Sequence, residues 1–167
     1  MALSTTLIVG LGNPGPTYAG NRHNVGHLAA DVLAGRMGEK YRSHKAGADV
    51  AEGRLVLGGP KLIVAKLRCY MNVSGGPTAA LLRFYDLSPE SLIVIHDELD
   101  IPFAQVRVKR GGGEGGHNGL RSISSAVGTR DYLRVRIGIG RPPGRMEAAD
   151  YVLRDFASGE RADLGVS

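Results

Sequence analysis

At 167 residues the chain is long enough for one domain that buries roughly two thirds of its unfolded surface. Its 43% hydrophobic and 22% charged residues are ordinary for a globular protein, and no stretch approaches the ~20 consecutive apolar residues of a membrane helix. Net charge is +5, and a lone cysteine, Cys69, excludes an internal disulfide framework and fits a reducing compartment, so a cytoplasmic protein is expected.

The N-terminus lacks a basic region and runs at once into Leu7-Ile8-Val9, so the reading there is a buried strand over Thr6 to Leu11, not a secretion signal. A Gly/Pro loop and a polar cluster of Asn13, Tyr18, Asn21, Arg22, His23 and Asn24 follow. Val25, Leu28, Ala29, Val32 and Leu33 keep helical spacing, which predicts a helix from near Asn24 to Met37 with Gly38 as its stop. Ala46 to Glu52 and Gly53 to Gly58 read as short strands, Gly58-Gly59-Pro60 as a turn, and Lys61 to Lys66 as a buried strand ending in the loop Arg68 to Ser74. Ser74 is placed to cap a helix through Asp86. Ser91 to Ile95 predicts an apolar strand running into His96-Asp97-Glu98-Leu99-Asp100. Gln105 to Lys109 alternates as a half-exposed strand should. After the glycine loop Gly111 to Gly119, a helix is expected over about His117 to Val127, a strand over Tyr132 to Ile139 and a short helix over Ala148 to Phe156.

Strands and helices alternate with no linker or repeat. The expected fold is therefore a single-domain α/β sandwich: a central mixed, largely parallel twisted sheet with helices on both faces. Ligands in such sheets gather beyond the carboxyl ends of the strands, and four polar loops are expected to meet there: Asn13 to Asn24, Tyr70 to Ser74, His96 to Asp100 and Gly111 to Asn118. The charge is uneven. Between Lys109 and Arg145 eight basic residues face two acidic ones, a net six positive charges that suggests a polyanionic partner, nucleic acid first.

Several chemistries can be weighed. Gly10-Leu11-Gly12-Asn13-Pro14-Gly15 satisfies G-x-G-x-x-G after an apolar strand, but Pro14 and Pro16 bracket the third glycine and oppose the helix a dinucleotide site needs, and Asp31 falls inside the first helix. A P-loop is excluded because no Gly-Lys dipeptide occurs. His23 and His27 are four apart, yet the zincin glutamate is missing and no Cys/His ligand spacing occurs elsewhere, so neither metal nor cofactor is expected. No G-x-S-x-G elbow exists, and Cys69 as a nucleophile competes with its more usual role as a small buried hydrophobe. What remains is His23 as a general base, oriented by a carboxylate. Asp97 is the best-placed partner, with His96 and Asp100 weaker ones. Asn13, Asn72 and Asn118 offer N–H donors for an oxyanion or for water. On spacing alone, such residues as often serve only to satisfy their own loops.

These same segments carry a resemblance. Asn13-Pro14-Gly15 with Tyr18, Arg22-His23-Asn24, Tyr70-Met71-Asn72-Val73-Ser74-Gly75, His96-Asp97-Glu98-Leu99-Asp100, Gly115-Gly116-His117-Asn118-Gly119 and Arg134-Val135-Arg136-Ile137-Gly138-Ile139-Gly140 together resemble the bacterial peptidyl-tRNA hydrolases, over nearly the whole chain and in order. The resemblance implies a metal-independent carboxylic ester hydrolase that frees tRNA from a peptide joined to its 3′ ribose. It implies His23 as the base, Asp97 as its stabiliser, and Asn13 beside His23 selecting N-blocked substrates. Asn72 and Asn118 would hold the peptide main chain, water or oxyanion; Tyr18 and Tyr70 would line the site near the tRNA end; Lys109 and Arg136 would meet tRNA phosphate. Arg134 and Arg110 are added on charge alone. The family leans monomeric and usually continues into a further C-terminal helix, which is expected to be missing from a sequence that stops at Asp163-Leu164-Gly165-Val166-Ser167. Two other readings stand beside this one. A non-catalytic RNA-binding protein explains the charge but not His23 with Asp97, and a nucleotide-binding oxidoreductase rests only on the glycine fingerprint.

Overall fold

The computed structural model describes residues 4–164. Among them, seven strands form one sheet: β1 (Thr5–Gly10), β2 (Arg42–His44), β3 (Ala48–Gly53), β4 (Lys61–Leu67), β5 (Leu92–Leu99), β6 (Val106–Arg110) and β7 (Leu133–Gly140). The helices are α1 (Val25–Met37), α2 (Gly75–Phe84), α3 (Asn118–Val127), α4 (Ala148–Val152) and α5 (Ser158–Asp163). The strand order is β2-β3-β4-β1-β5-β7-β6. The inner four, β4, β1, β5 and β7, run parallel, and β2, β3 and β6 close the edges antiparallel.

Strands buried on both faces read as continuous apolar runs, and β1 is one. Leu7 and Val9 join the core under α2 and α3, with Leu81, Leu120 and Ile123. Ile8, between them, turns to the other core, with Val25 and Ala30 of α1. The connection through α1 leads from β1 to β4 on one side, and the connection through α2 leads from β4 across to β5 on the other. This reversal of winding opens a crevice beyond the carboxyl ends of β1 and β5. There α1 approaches very closely: a Cβ at Gly26 would lie 2.5 Å from Ile95 O and from Leu11 N and O. Only glycine permits that contact, and it brings the residues just before α1 over the end of β5.

The structure departs from the sequence reading at several elements. Gly53 to Gly58 is not a strand. β3 and β4 pair from Ala48 with Leu67 to Gly53 with Leu62, so residues 54–60 are the connection of that hairpin, and Leu55, Val56 and Leu57 are exposed in it. The edge strand β2, three exposed or half-buried residues long, carries too little pattern to be read. Ser74 does not cap α2: its hydroxyl donates to Met71 O at 2.7 Å, and Ser122 Oγ of α3 instead accepts from Gly75 N–H at 2.8 Å. β5 continues past Ile95 because His96, Asp97 and Glu98 pair with Arg136, Ile137 and Gly138 of β7. The last predicted helix stops at Val152, since Arg22 N–H donates to Arg154 O and Asn21 bridges Asp155, which draws the chain out straight. Residues 165–167, part of the ending where the family's further helix is expected to be missing, lie outside the described residues.

Candidate active site

Asp97 is the centre of the site. It sits near the carboxyl end of β5, 3% exposed, and each carboxylate oxygen accepts from a different imidazole: Oδ2 from His23 Nδ1 at 2.8 Å and Oδ1 from His117 Nε2 at 2.7 Å. Burial by itself would raise the pKa of this acid. The two imidazoles, His117 more than His23, outweigh burial and hold it well below the usual carboxylate range. Asp97 is therefore an anion, and both ring nitrogens facing it are donors.

His23 stands on a single 3₁₀ turn, Arg22–Asn24, directly before α1. That turn is tied down from outside: Arg22 pairs with Glu160 at 3.0 Å and stacks over Tyr151 at 4.1 Å, and Asn21 Nδ2 donates to Asp155 at 2.7 Å. With Nδ1–H given to Asp97, the lone pair of His23 is on Nε2, and His23 lines the cavity. A neutral imidazole oriented this way accepts a proton from whatever binds there.

His117 is the partner that sequence reasoning quoted in a motif but gave no role. It precedes α3 as its N-cap, and its Nδ1 accepts from Gly119 N–H at 3.1 Å and Leu120 N–H at 3.3 Å. An N-cap is commonly Ser, Thr, Asp or Asn; here an imidazole does that work, which fixes its proton on Nε2. The glycine loop before it also differs from expectation. β6 is antiparallel to β7, and Arg110 pairs with Leu133, the first residue of β7, so residues 111–117 start at the far end of the sheet and climb back to the crevice. Arg134 holds that ascent. It is 2% exposed and donates to Gly113 O at 2.6 Å, Gly112 O at 3.0 Å and Arg130 O at 3.2 Å. Behind His117, ring to ring at 5.1 Å, His96 gives Nδ1–H to Asp97 O at 2.7 Å and is kept neutral, its pKa lowered to about 4 by burial and then by His117.

A cavity of about 710 Å³ lies over this row. Asn13, His23, Tyr70, Asn72, Asp97 and Asn118 all line it, so three of the four loops meet as read, and the climbing glycine loop reaches the same place by another route. Asn13 is oriented from both ends. Its Oδ1 accepts from Met71 N–H at 2.7 Å, and Asn24, 1% exposed, clamps its backbone with two 2.8 Å bonds: Asn24 Oδ1 accepts from Asn13 N–H, and Asn24 Nδ2 donates to Asn13 O. Its donor end, Nδ2, is thus the one left for the cavity. Asn24 is a second residue whose role the sequence did not signal. The far wall, Ala148, Ala149, Val152 and Leu153 around α4, is apolar and was also unread.

Other predicted residues sit at a distance from the chemistry. Tyr18 does not line the cavity but stands edge-on to Tyr70, which does, with ring centroids 6.2 Å apart. Lys109 is exposed on the edge strand β6, and Arg136 on β7 donates to Glu98, a cavity residue, at 2.8 Å. Arg134, proposed on charge alone, is a buried structural cation and unavailable to phosphate. Much of the basic segment is likewise internally neutralised: Arg130 meets Glu114 at 3.1 Å, Arg110 meets Asp131 at 3.8 Å and Arg141 meets Asp100 at 2.7 Å. His27 lies outside the site, against Gly12, where a Cβ would come within 2.6 Å of its ring. Cys69 is half-buried and burial raises its pKa, which keeps it a thiol. No helix follows the G-x-G-x-x-G loop directly; α1 begins at Val25.

One potential ligand atom from each of His23, Asp97 and His117 lies within 4.8 Å of the other two, a spacing that would also suit a cation. The donor set argues otherwise. A cation at His117 Nε2 would have to displace the proton that the N-cap bonds at Nδ1 require, and the N–O separations of 2.7 and 2.8 Å are hydrogen bonds.

Comparisons with known proteins agree with the geometry. The family model for peptidyl-tRNA hydrolase matches residues 7–166. The chain is 64% identical over 160 residues to a peptidyl-tRNA hydrolase of Paenarthrobacter aurescens, covering 96% of this chain and 82% of the relative. It is 65% identical over 158 residues to that of Frankia alni, covering 95% and 79%. The crystal structure of peptidyl-tRNA hydrolase from Acinetobacter baumannii superposes with a TM-score of 0.89 at 36% identity, covering 99% of this chain and 84% of that one.

Proposed function

This chain belongs to the peptidyl-tRNA hydrolase family, and from that premise we propose that His23 is the general base of its reaction, held by Asp97 in a hydrogen-bonded row with His117. The enzyme hydrolyses the ester between a peptide's terminal carbonyl and the 3′ ribose oxygen of tRNA. The observation that carries the proposal is the pair of bonds on Asp97, which leave His23 Nε2 as a free lone pair in the cavity.

In this reading a water donates a proton to His23 Nε2 as its oxygen attacks the ester carbonyl. The imidazolium that forms is stabilised by the buried Asp97 anion. Asn13 Nδ2, with the amides of Asn72 and Asn118, donates to the oxyanion or to the peptide main chain. Collapse breaks the bond to the ribose oxygen, which takes the proton back from His23, so free tRNA and a peptide carboxylic acid leave. Tyr18 and Tyr70 flank the approach of the tRNA end, and Lys109 and Arg136 meet its phosphates. The enzyme acts as a monomer, the state that the resemblance implies. The substrate is made in translation, and with the lone cysteine this supports a cytoplasmic enzyme. Among the described residues, no helix is long and apolar enough to cross a membrane.

The test is release of an N-acetyl-aminoacyl group from tRNA by the native protein and by His23→Ala, each with and without EDTA. We expect the variant to lose at least a hundredfold in rate, the usual contribution of a general base, and EDTA to change nothing. Unchanged hydrolysis by His23→Ala would remove His23 as the base, and loss of activity with EDTA would revive a metal mechanism.

A further inference from the structure

Arg136 does not stand free. Strand register sets His96, Arg136 and Arg107 side by side across β5, β7 and β6, and Glu98 follows two residues after His96, so all four side chains share one face of the sheet. On that face Glu98 Oε1 accepts from Arg136 Nη2 at 2.8 Å, and Glu98 Oε2 lies 3.9 Å from His96 Nδ1. Both partners keep contact with solvent, with side chains 26% exposed for Arg136 and 23% for Glu98. Glu98 also lines the reaction cavity, so it faces the space the tRNA end enters.

A guanidinium fork fits carboxylate and phosphate alike. Glu98 therefore occupies Arg136 with the same chemistry that a phosphodiester would offer, at the rim of a site whose substrate is a polyanion. We infer that Glu98 is an internal stand-in for a tRNA phosphate, holding Arg136 beside the cavity until the nucleic acid displaces it. Such a device keeps the arginine extended and ordered in the free enzyme and weakens binding of any single stray phosphate. A tRNA that makes several phosphate contacts at once overcomes the competition. It also bears on turnover: after ester cleavage, recapture of Arg136 by Glu98 assists departure of the deacylated tRNA. The inference rests on the reading that Arg136 meets phosphate.

The experiment is equilibrium binding of uncharged tRNA across a salt series, with the native protein, Glu98→Gln, Arg136→Ala and the double variant. Glutamine keeps the size of the side chain, so folding is little disturbed. Arg136→Ala should weaken binding and flatten the salt dependence by about 0.9 in log–log slope, one phosphate contact. Glu98→Gln should tighten binding about two- to fivefold, the range of a partly exposed ion pair. Part of any gain comes from removing a negative charge near a polyanion, whatever Arg136 does. The decisive comparison is therefore between backgrounds: the gain from Glu98→Gln should shrink when residue 136 is alanine. An equal gain in both backgrounds, or none in either, overturns the stand-in while leaving Arg136 as a phosphate contact if its own variant binds weakly. If Arg136→Ala binds tRNA as the native protein does, the phosphate reading of Arg136 fails and the inference with it.

Discussion

Replacing Asp97 with asparagine changes almost no volume and isolates the role of the two acceptor oxygens. The native carboxylate accepts from His23 Nδ1 and His117 Nε2. An asparagine offers one oxygen and one NH₂, so one imidazole must present a lone pair toward position 97. His117 cannot yield without giving up its bonds from Gly119 and Leu120 N–H. His23 therefore yields: its proton moves to Nε2, the nitrogen available to the cavity, and the lone pair turns inward. A base in the wrong tautomer removes proton abstraction and also leaves the imidazolium without its anion. By the known cost of the same acid-to-amide change in serine-protease triads, about 10⁴ in kcat, we expect a loss of about 10³–10⁴, or ~4–5.5 kcal/mol in the barrier. Uncharged tRNA should bind as before, since Asp97 is only 3% exposed and lies under the cavity. The assay is single-turnover release of N-acetyl-aminoacyl groups at saturating enzyme, with thermal melts to verify folding. A folded Asp97→Asn protein within about tenfold of the native rate would refute the tautomer argument.

Activity should fall on acidification as an imidazole base takes up its proton; a rate flat from pH 5 to pH 8 would count against His23. Stability should fall over the same acid range for a different reason. His27 and His96 are each lowered from 6.5 to about 4, His27 by burial and then by Lys66, so the folded protein binds these protons less readily than the unfolded chain. Their neutral forms support the fold fully above pH 6.5, and that support is lost as pH falls toward 4, by up to about 3 kcal/mol each. Urea midpoints at pH 7 and pH 4.5 measure it, His27→Gln should shrink the difference, and equal midpoints would contradict it. Asn24→Ala strips both hydrogen bonds from the buried Asn13 backbone and should cost about 2–3 kcal/mol, with activity reduced as Asn13 loosens; a urea midpoint equal to the native one would show that the clamp is dispensable. Lys109, which has no carboxylate partner among the described residues, should contribute one phosphate contact, so Lys109→Ala should lower the tRNA salt slope by about 0.9; a native slope would take it off the tRNA face.

The sheet was legible because β1, β4 and β5 bury both faces and so appear as uninterrupted apolar runs bounded by turns. Helix α1 was legible to its last residue because Gly38 takes the left-handed C-cap at φ 71° that the pattern called for. Asp97 and His23 stood out as chemistry-bearing residues at predicted strand and loop ends. Leu55-Val56-Leu57 misled for a definite reason: local apolarity cannot tell a strand from an exposed hairpin connection when the partner is set by pairing elsewhere. Charge pointed to the right class of partner, a nucleic acid, but not to the residues that meet it: Arg134 lies inside the protein bound to loop carbonyls, and most of its basic neighbours already hold carboxylates.

By itself, the chain order of apolar runs, turns and polar clusters determined the α/β class and the position of the crevice, because these follow from periodicity, and it singled out His23 and Asp97 as the candidate base and anion, because of what imidazole and carboxylate can do. Only the tertiary structure decided which group meets which. The antiparallel direction of β6 sends the glycine loop climbing back over the sheet, and that climb, pinned by Arg134, sets His117 on the second oxygen of Asp97. Contacts between residues 20 positions apart in sequence, or 74 for His23 and Asp97, have no local signature; they exist because the sheet and its close-packed glycines leave the side chains nowhere else to meet.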